Sequence, residues 1–455
     1  MPLQRLPLQS SSPAAALPEG SMSLAGLPVL RAPLDLKLAA QAAPADGQLV
    51  LVVGLDCRYE AAVELSAPWA GWRTRVDASF VSVAQRLYID VPGAVLAGLN
   101  RESLSLAVQA EAPLHFIAPT ADAPGLTPQI LQGRADDPAA AALDRLAEGA
   151  VAPFGWMGGC VADALQVLHR ATGEARYLAA LDAFFARYLH GSDLVHDNPR
   201  SVRLVNELET IEASLPIAAL ARRHPEHPAL ACATRLWAQK RKPDGTVRDH
   251  SDTAEACYTV AYPMLVLGAQ RGDADLIEGA WRQLRRRREV LVHEGDLYLR
   301  HHEGNRGFRN WTRGICWYLL GLTRTLLAAR EAGLELPEDL RAHLAERAEW
   351  IAVRQRTDGL WDNFLDEDGP PPDTSGSCGI AAALTLASKA GLIERAFRPL
   401  AQRTFAGASE RLRPDGYLGG VAPNNKRGEE HQHTDRRTCE PFALGLFGQL
   451  AAALR

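Results

Sequence analysis

The sequence lacks the features that would place the protein in a membrane or on a nucleic acid. It has no run of about 18 or more apolar residues, the length that predicts a transmembrane helix. Its 49 Lys and Arg residues are outnumbered by 54 Asp and Glu residues, so the net charge is −5 and no basic footprint for polynucleotides is present. We therefore expect no membrane association and no nucleic-acid partner.

Closely spaced cysteines are also absent, because each of the seven cysteines stands alone and none belongs to a C-x-x-C pair. This pattern predicts free thiols in a reducing compartment rather than disulfides or a zinc site. Residues 1–25 are rich in Pro, Ser and Ala but have no continuous apolar core, so they do not read as a secretory signal. Together these absences favour a cytoplasmic protein with a flexible leader at residues 1–25.

The composition that is present suits a large folded core. The chain has 455 residues, of which 47% are hydrophobic and 23% charged, which is typical of a globular protein of two or three domains. Residues 26–125 contain short runs of alternating apolar and polar residues, separated by Gly, Pro, Asn and Asp. Such runs predict a small antiparallel β-sandwich, with a domain boundary near residue 125.

Residues 126–455 change to helical periodicity. Eleven helices are predicted, with a twelfth possible near residues 139–148, which is close to six helical hairpins. Four connectors repeat a turn followed by a short extended piece, with the sequences KPDGTV, HEGDLYL, RTDGLW and RPDGYL. Repetition of this unit predicts a closed (α/α)6 toroid, in which the loops at one end of the inner helices converge on a central cavity.

Carboxylates stand at two of the predicted inner-helix starts. Glu207, Glu209 and Glu212 precede one helix, while Asp252 and Glu255 precede the next. In a toroid such residues would face the cavity as candidate general acids or bases. Two other interpretations stay open, because acids at a helix start complement its dipole and because Asp252 and Glu255 have the spacing of a capping box.

Aromatic and cationic residues suited to an acidic sugar precede a long apolar helix. Trp311 and Trp317 can stack on the apolar face of a sugar, and the guanidinium of Arg313 matches a carboxylate. Arg313 and Trp317 lie one helical turn apart, and Tyr258 lies one turn below Glu255. The alternative is that both tryptophans are ordinary core residues.

Other polar candidates lie in the loops. His301 and His302 come just before the Trp and Arg phrase, and Thr374, Ser375 and Ser377 surround a helix start that could bind hydroxyl groups or need only a cap. Near the C-terminus, His431 and His433 form an H-x-H phrase within a charged loop that also carries Asp435, Arg436 and Glu440, but the spacing is a weak metal signal. We expect no metal and no cofactor.

Three phrases in this order resemble those of the unsaturated uronyl hydrolases of glycoside hydrolase families 88 and 105. W-T-R-G-I-C-W at 311–317 is similar to their W-x-R-G-N-G-W, D-G-L-W at 358–361 to their D-G-L-W turn, and T-S-G-S-C at 374–378 to their T-S-G-S-A helix start. The similarity covers about residues 155–450. It implies an (α/α)6 barrel that hydrates the C4=C5 bond of a terminal unsaturated uronate, after which the ring opens and the neighbouring sugar leaves.

The resemblance also implies site residues. It places the general acid/base at Glu255 and the assisting carboxylate at Glu209. The uronate would be held by Trp311, Arg313 and Trp317, bordered by Tyr258 and His302, and bound through its oxygens by Ser375 and Ser377. The implied partner is therefore an acidic oligosaccharide.

The sequence departs from the family pattern at three places. Glutamates stand where the family has aspartates, Ile315 and Cys316 replace its Asn-Gly, and Thr253 and Ala254 replace the aromatic residue before the acid. These departures leave open a glucuronidase that uses two carboxylates on saturated uronates. A sugar epimerase using His301, His302 or His433 and a noncatalytic carbohydrate-binding module also remain as alternatives.

Overall fold

The computed structural model describes residues 1–17, 22–38, 42–43, 45–148, 151–197 and 202–455. Its N-terminal part is an antiparallel sheet, and the remainder is mostly helical. The N-terminal elements are β1 (Gln4–Ser10), β2 (Val29–Arg31), β3 (Leu34–Leu38), β4 (Gly47–Val52), β5 (Ala61–Ala67), β6 (Trp72–Asp77), β7 (Arg86–Val91), the one-turn helix α1 (Gly93–Leu96), β8 (Leu104–Ala110), β9 (His115–Ile117) and β10 (Gln129–Gln132).

Eight of these strands form one continuous sheet in the order β6-β5-β8-β3-β1-β10-β4-β7. β1 joins the two halves, because Gln4 to Pro7 pair with β10 while Leu8 to Ser10 pair with β3. β2 and β9 form a separate two-stranded ribbon. The predicted sandwich is thus a single sheet whose two halves are linked by a shared strand.

The alternating sequence pattern explains which face of the sheet is buried. In β3 the residues Leu34, Leu36 and Leu38 are buried while Asp35 and Lys37 are exposed, as expected for a strand with one apolar face. Leucines and valines from both halves of the sheet belong to one apolar cluster, so the halves enclose a common core. β4 is apolar on both faces, because Val50 and Val52 pack into a second cluster on its other side.

The N-terminal leader and the boundary at residue 125 need correction. Residues 4–10 form a central strand rather than a flexible leader, since they fill the gap between β10 and β3 and satisfy the backbone groups of both. Residues 18–21 of the predicted leader lie outside the described residues. The sheet also continues past residue 125, because β10 ends at Gln132.

The helical part also contains short hairpins between its helices, one of which lies at the predicted HEGDLYL connector. Its elements are α2 (Pro138–Ala147), α3 (Trp156–Thr172), α4 (Ala175–Ala186), β11 (Leu189–His190), β12 (Asp193–Asp197), β13 (Arg203–Val205), α5 (Pro216–Arg223), α6 (Leu230–Lys240), β14 (Asp252–Thr253), α7 (Tyr262–Arg271), α8 (Ala274–Leu291), β15 (Val292–His293), β16 (Asp296–His302), β17 (Asn305–Arg309), α9 (Thr312–Glu331), α10 (Glu338–Ala352), α11 (Thr374–Lys389), α12 (Arg398–Ser409) and α13 (Pro441–Leu454). The extra helix suspected near residues 139–148 is α2.

Six of these helices contact one another in cyclic order. α3 contacts α5, α5 contacts α7, and the series continues through α9, α11 and α13 back to α3. A second helix packs on each of them, with α2, α4, α6, α8, α10 and α12 in these positions. α11 and α13 are buried almost throughout, as expected for helices enclosed on all sides. A closed ring of six helical hairpins, as predicted, requires such a cycle of contacts.

Three of the repeated connectors reverse the chain direction at a glycine. Gly245, Gly359 and Gly416 follow an aspartate in their turns and have φ of 77°, 80° and 89°, a region that strongly favours residues without a Cβ. Asp244 and Asp358 accept backbone N–H groups two residues further on, at 2.9 and 3.2 Å. The Asp-Gly pair is therefore the local cause of each reversal.

The third of these turns also contacts the sheet. Arg86 of β7 donates from Nη1 to Asp415 Oδ2 at 3.2 Å, and both side chains are nearly inaccessible to solvent, at 1% and 4% exposure. Tyr88 donates its hydroxyl to the other Asp415 oxygen at 2.8 Å, and Arg86 lies 3.6 Å from the ring centre of Tyr417. The two parts of the protein thus share a fully desolvated ion pair.

All seven cysteines are buried and unpaired, and each lies in the described part of the chain. Free buried thiols of this kind behave as small apolar residues. None of the described helices has the length and apolar character needed to cross a bilayer.

We expect Arg86→Met to lower the free energy of unfolding by about 3–5 kcal/mol, because it leaves the Asp415 charge buried without its partner. The matched control is Arg73→Met, which removes an arginine of the same sheet that is 68% exposed in its ion pair with Glu64. That change should cost about 1 kcal/mol or less. Urea unfolding of both variants would measure the difference, and equal losses would contradict the importance of the buried pair.

Candidate active site

A cavity of about 270 Å³ lies where the loops of the helical part meet the sheet. Both parts of the protein contribute to its wall. Its lining includes Asp56, Arg58, Trp156, Asp197, Glu212, Glu255, Tyr258, Trp311, Arg313, Trp317, Asn424, Lys426, Glu440 and Phe442. The cavity therefore combines acids, cations and aromatic rings in one enclosed space.

Two glutamates come from neighbouring inner-helix starts. Glu212 lies in a short 3-10 turn, Ile211–Ser214, just before α5. Glu255 lies in the turn that precedes a π-helical segment, Cys257–Ala261, which continues into α7. π-helical turns are rare and often occur at functional sites. Both glutamates line the cavity and are partly accessible within it.

A hydrogen-bond bridge holds the two turns together. Ser214 donates its hydroxyl to Thr259 O at 2.8 Å and also lies 2.7 Å from Ile211 O. Trp237 donates its indole N–H to the same hydroxyl at 3.2 Å. Because Ser214 and Thr259 follow the two glutamates closely in sequence, this bridge fixes the carboxylates relative to each other.

The two carboxyl groups interact electrostatically. Burial raises the pKa of Glu212 to about 7, with further contributions from the nearby charges of Glu255 and Asp249. Burial also raises the pKa of Glu255, although Arg300 and Arg313 oppose this shift. Two close carboxylates in a poorly solvated site resist ionising together, so the pair retains a proton more readily than isolated glutamates.

Two additional acids lie in the same cavity. Burial, with a smaller contribution from Asp56, raises the pKa of Asp197 to about 7. Burial also raises the pKa of Glu440, against the positive charge of Arg313. One carboxylate oxygen of each, and one of Glu255, is buried and has no hydrogen-bond partner among the described residues. Buried polar atoms of this kind are costly unless a bound molecule can reach them.

The aromatic side of the cavity is built around Trp317. Its ring is nearly parallel to that of Tyr258, with centroids 6.2 Å apart, and meets the edge of Trp156 at 5.7 Å. Phe442 packs against both tryptophans, at 6.0 Å from Trp317 and 4.8 Å from Trp156. Such a surface offers flat apolar faces on which a sugar ring can stack.

Tyr258 is anchored below the cavity rather than directed into it. Its hydroxyl donates to buried Asp163 at 2.5 Å and accepts from Gln449 at 3.1 Å. Asp163 also accepts from Tyr262 at 3.3 Å. The ring of Tyr258 thus lines the wall, while its polar end is occupied.

Trp311 and Arg313 line the cavity but are already committed to other contacts. Trp311 donates its indole N–H to Asn363 at 3.2 Å and is almost fully buried. Arg313 donates from Nη1 to Ala422 O at 2.7 Å and from Nη2 to Pro423 O. Its guanidinium also stacks on Trp311, 4.6 Å from the ring centre. Arg313 therefore holds a loop in place.

The loop held by Arg313 brings the cation Lys426 to the wall of the cavity. Lys426 Nζ lies 3.1 Å from Oδ2 of Asp56, and Arg58 Nη2 lies 3.3 Å from the same oxygen. Asp56 is held by its other oxygen, which accepts the backbone N–H of Val83 at 2.8 Å. Asp56, Arg58 and Lys426 form the cationic rim of the cavity.

The assignment of Glu209 to the cavity needs correction. Glu212, three residues later, lines the cavity, whereas Glu209 is not among the lining residues. The reason is local structure, since the chain is extended at Thr210 and tightens into a 3-10 turn only at Ile211, so the turn carries Glu212 and not Glu209. Asp252 is also outside the cavity, where it forms an ion pair with Arg286 at 3.3 Å.

Ser375 and Ser377 are buried behind the cavity wall rather than in it. Asp373 is the N-cap of α11 and accepts the backbone N–H groups of Ser375 and Gly376. Ser375 donates its hydroxyl to Asp373 Oδ1 at 2.7 Å, and Ser377 donates to Asp373 O at 2.7 Å. The helix start therefore needs only a cap, but Asp373 supplies it, and the two serine hydroxyls donate to that residue inside the protein.

The candidate histidines also lie away from the cavity. His302 is exposed at the end of β16, with Nδ1 3.2 Å from His250 O, and His301 lines a separate charged surface cleft beside it. His433 stacks on Phe364 at 4.4 Å and lies 2.9 Å from Glu367. The described lining of the cavity contains no histidine. Within the described residues, no group of three His, Cys, Asp or Glu side chains is placed to hold a metal ion.

Several lining residues were missed from the sequence. Trp156 had a usable signal in the sequence, because a glycine precedes it. Gly155 has φ of 132° and marks the tight turn at which α3 begins. Glu440 precedes a proline at the start of α13, a helix-start pattern that the sequence reading assigned only to a charged rim. Asp56 and Arg58 gave no signal, since only the packing of the sheet against the helices brings them to the cavity.

Comparison with protein-family models gives a match over the helical part. The family model described as Glycosyl Hydrolase Family 88 matches residues 147–453. The comparison with curated proteins gives no match.

Solved structures share the fold at low sequence identity. A glycoside hydrolase of family 105 from C. acetobutylicum is 15% identical, with a TM-score of 0.58 over 70% of this chain and 99% of that one. A glycosyl hydrolase of family 88 from Bacteroides vulgatus is 18% identical, with a TM-score of 0.54 over 70% and 97%. An unsaturated glucuronyl hydrolase from Bacillus sp. GL1 is 16% identical, with a TM-score of 0.52 over 70% and 94%.

The raised pKa of Glu212 predicts a pH-dependent contribution to stability. Because its pKa is about 7 in the folded protein and near 4.5 in an unfolded chain, the protonated form favours folding. This contribution is complete below pH 4.5 and is lost as the pH rises through about 7. We expect Glu212→Gln to raise the melting temperature relative to the unmodified protein more at pH 8 than at pH 5. A difference that is the same at both pH values would contradict the shift.

Proposed function

Because this chain belongs to Glycosyl Hydrolase Family 88 and is a glycoside hydrolase, we propose that it removes a terminal unsaturated uronic acid from an oligosaccharide. The reaction is hydration of the C4=C5 bond, followed by ring opening and release of the neighbouring sugar. The observation that carries this proposal is the interacting pair Glu212 and Glu255 beside the Trp317 surface. A structural neighbour described as an unsaturated glucuronyl hydrolase supports the substrate class.

The cavity suits a single terminal sugar. Its volume of about 270 Å³ is at the lower end of the range for small-molecule sites. In our proposal the terminal ring stacks on the indole surface formed by Trp317 and Trp156, and its reactive carbons face the two glutamates. The rest of the oligosaccharide then extends toward the exposed rim.

The proposed chemistry assigns one role to each glutamate. Glu255 in its acid form donates a proton to C4, and the positive charge that develops is shared by C5 and the ring oxygen. Glu212 as carboxylate accepts a proton from a water molecule, whose oxygen bonds to C5. The C5 hemiketal then opens by breaking its bond to the ring oxygen, and the resulting C1 hemiacetal releases the neighbouring sugar as an alcohol.

The raised pKa values fit a pair that works near neutral pH. An acid catalyst must hold its proton until the substrate needs it, and ordinary glutamates are ionised at pH 7. Mutual repulsion and burial keep one proton on the Glu212 and Glu255 pair. Since loss of that proton would remove the acid, the rate should fall at alkaline pH.

The proposal includes the architecture that carries this pair. The cyclic helix contacts and the fold shared with family neighbours support an (α/α)6 toroid for the helical part, with the catalytic pair at adjacent inner-helix starts. The sheet is then an accessory domain that closes one side of the cavity.

A glucuronidase acting on saturated uronates is the second candidate, because a carboxyl pair also serves ordinary glycoside hydrolysis. The epimerase alternative is disfavoured, since it needs histidines on opposite cavity walls and the described lining has none. A noncatalytic carbohydrate module is disfavoured by membership of a hydrolase family.

We expect Glu255→Gln to lower kcat by about 100-fold to 10,000-fold without unfolding the protein, because the side chain keeps its shape but loses its proton. Turnover of an unsaturated uronyl disaccharide and a melting curve would measure this. The matched control is Glu209→Gln, which makes the same change outside the cavity lining and should keep at least half of the activity. If Glu209→Gln were inactive and Glu255→Gln active, the assignment of the pair would be wrong.

Ultraviolet absorbance distinguishes the two candidate reactions. The unsaturated uronate absorbs through its conjugated double bond, so hydration should remove the band as the neighbouring sugar is released. A saturated glucuronide offered in parallel should be inert. Release of intact glucuronate from that saturated substrate, with the unsaturated one unchanged, would instead establish the glucuronidase.

A further inference from the structure

Arg313, the residue expected to bind the substrate carboxylate, instead binds the backbone of a loop. Two terminal nitrogens of Arg313 donate to the carbonyl oxygens of Ala422 and Pro423, and its planar face lies against Trp311 and Phe442. A guanidinium binds a carboxylate best through two parallel N–H groups. Because both terminal nitrogens of Arg313 already donate to the backbone, a more accessible cation is better placed to receive the anionic group of the substrate.

The cationic rim of the cavity offers two such cations, Lys426 and Arg58. Asp56 Oδ2 accepts from Lys426 at 3.1 Å and from Arg58 at 3.3 Å, so neither cation holds this oxygen alone. Asp56 itself is 5% exposed in its side chain, whereas Lys426 and Arg58 are 23% and 45% exposed. The carboxylate is thus enclosed behind two cations that line the cavity.

The position of Lys426 is fixed by its loop. Asn424 accepts the backbone N–H of Lys426 at 3.1 Å and donates from its side chain to Phe80 O of the sheet at 2.6 Å. Gln432 donates to Asn424 O at 3.0 Å. The loop is therefore bonded to the helical part and to the sheet at the same time.

The charge of Lys426 reaches the proposed catalytic acids. It lowers the pKa of both Glu212 and Glu440, against the stronger upward effect of burial. These interactions place the ammonium within electrostatic range of the carboxyl pair inside a poorly solvated space. Because Lys426 and Glu212 line the same cavity, an anion bound at Lys426 would share this space with the carboxyl pair.

We propose that Lys426, assisted by Arg58, holds the carboxylate of the terminal uronate, and that this recognition element is assembled across the contact between the sheet and the helical part. The inference rests on the proposed function. The carboxylate of a uronate is attached to C5, so holding it at Lys426 brings C4 and C5 to the side of the cavity that carries Glu212. Asp56 shares its negative charge with both cations and therefore competes with the substrate carboxylate for them.

A pair of substrates that differ only in charge tests this proposal. The unsaturated uronyl disaccharide and its methyl ester have the same rings, but only the first carries a carboxylate. We expect wild-type kcat/KM to favour the acid, and Lys426→Met to reduce the acid-to-ester ratio by about tenfold or more, as expected when one charge-assisted contact is lost. If both substrates lose activity by the same factor, the proposal is wrong.

Asp56→Asn provides a change of opposite sign. The amide keeps an acceptor for the Val83 N–H but removes the negative charge that Lys426 and Arg58 share. The acid-to-ester ratio should therefore rise by several-fold. An unchanged or lower ratio would overturn the role of the rim. Lys37→Met is the matched control, because it removes one lysine charge from the exposed face of β3 and should leave the ratio as it is.

Binding measurements separate this inference from the proposed reaction. Calorimetry with free glucuronate and glucose needs no turnover. If the enzyme hydrolyses neither disaccharide but binds glucuronate more tightly than glucose, and Lys426→Met abolishes this difference, the reaction fails and the anion site stands. Equal affinity of the wild-type protein for the two sugars, or no binding of either, overturns the anion site even if turnover is observed.

Discussion

The cavity depends on the way Arg313 holds the loop that begins after Val421. Its guanidinium donates to two successive carbonyl groups, while Asp373 at the start of α11 accepts the N–H of Ala422 at 3.0 Å. The loop is thereby fixed to α9 and α11, and its next residues, Asn424 and Lys426, reach the sheet. One buried cation at an inner-helix start thus determines where the second wall of the cavity stands.

Electrostatics and stability oppose each other around this cavity. Asp197, Glu212, Glu255 and Glu440 lie in one poorly solvated space, and burial raises the pKa of each of them. Burying several acids disfavours folding at neutral pH unless protons or cations compensate. The aromatic groups beneath them, packed around Trp317, supply apolar contacts that offset part of this cost.

Sequence patterns predicted the parts of the site that follow from regular helices. Glu255, Trp311, Arg313 and Trp317 were found because they stand at inner-helix starts, and all four line the cavity. The family resemblance implied Glu209 as the second carboxylate, but the chain is extended at Thr210 and a 3-10 turn begins only at Ile211, so Glu212 lines the cavity instead. Local backbone geometry of this kind does not follow from a similarity of short phrases.

Tertiary packing decided what the sequence could not show. Ser375 and His302 were reasonable loop candidates, but the first is bonded to the N-cap Asp373 and the second lies on an exposed hairpin. Conversely, Asp56 and Arg58 lie in the loop between β4 and β5, about 150 residues or more before the glutamates, and reach the cavity through the packing of the sheet on the helical part. No local pattern encodes such a contact.

The cyclic order of the inner helices also determines when the molecule can become complete. α3 has α13 as a neighbour, so one flank of α3 stays uncovered until the 14 residues of α13 have been synthesised. The contact of the sheet with the helical part also forms late, since Arg86 pairs with Asp415 and donates its backbone N–H to Cys439 O at 2.9 Å. A ribosome-bound chain truncated before this point therefore exposes apolar surface on both units, and the nascent protein is a natural client for chaperones that shield such surfaces.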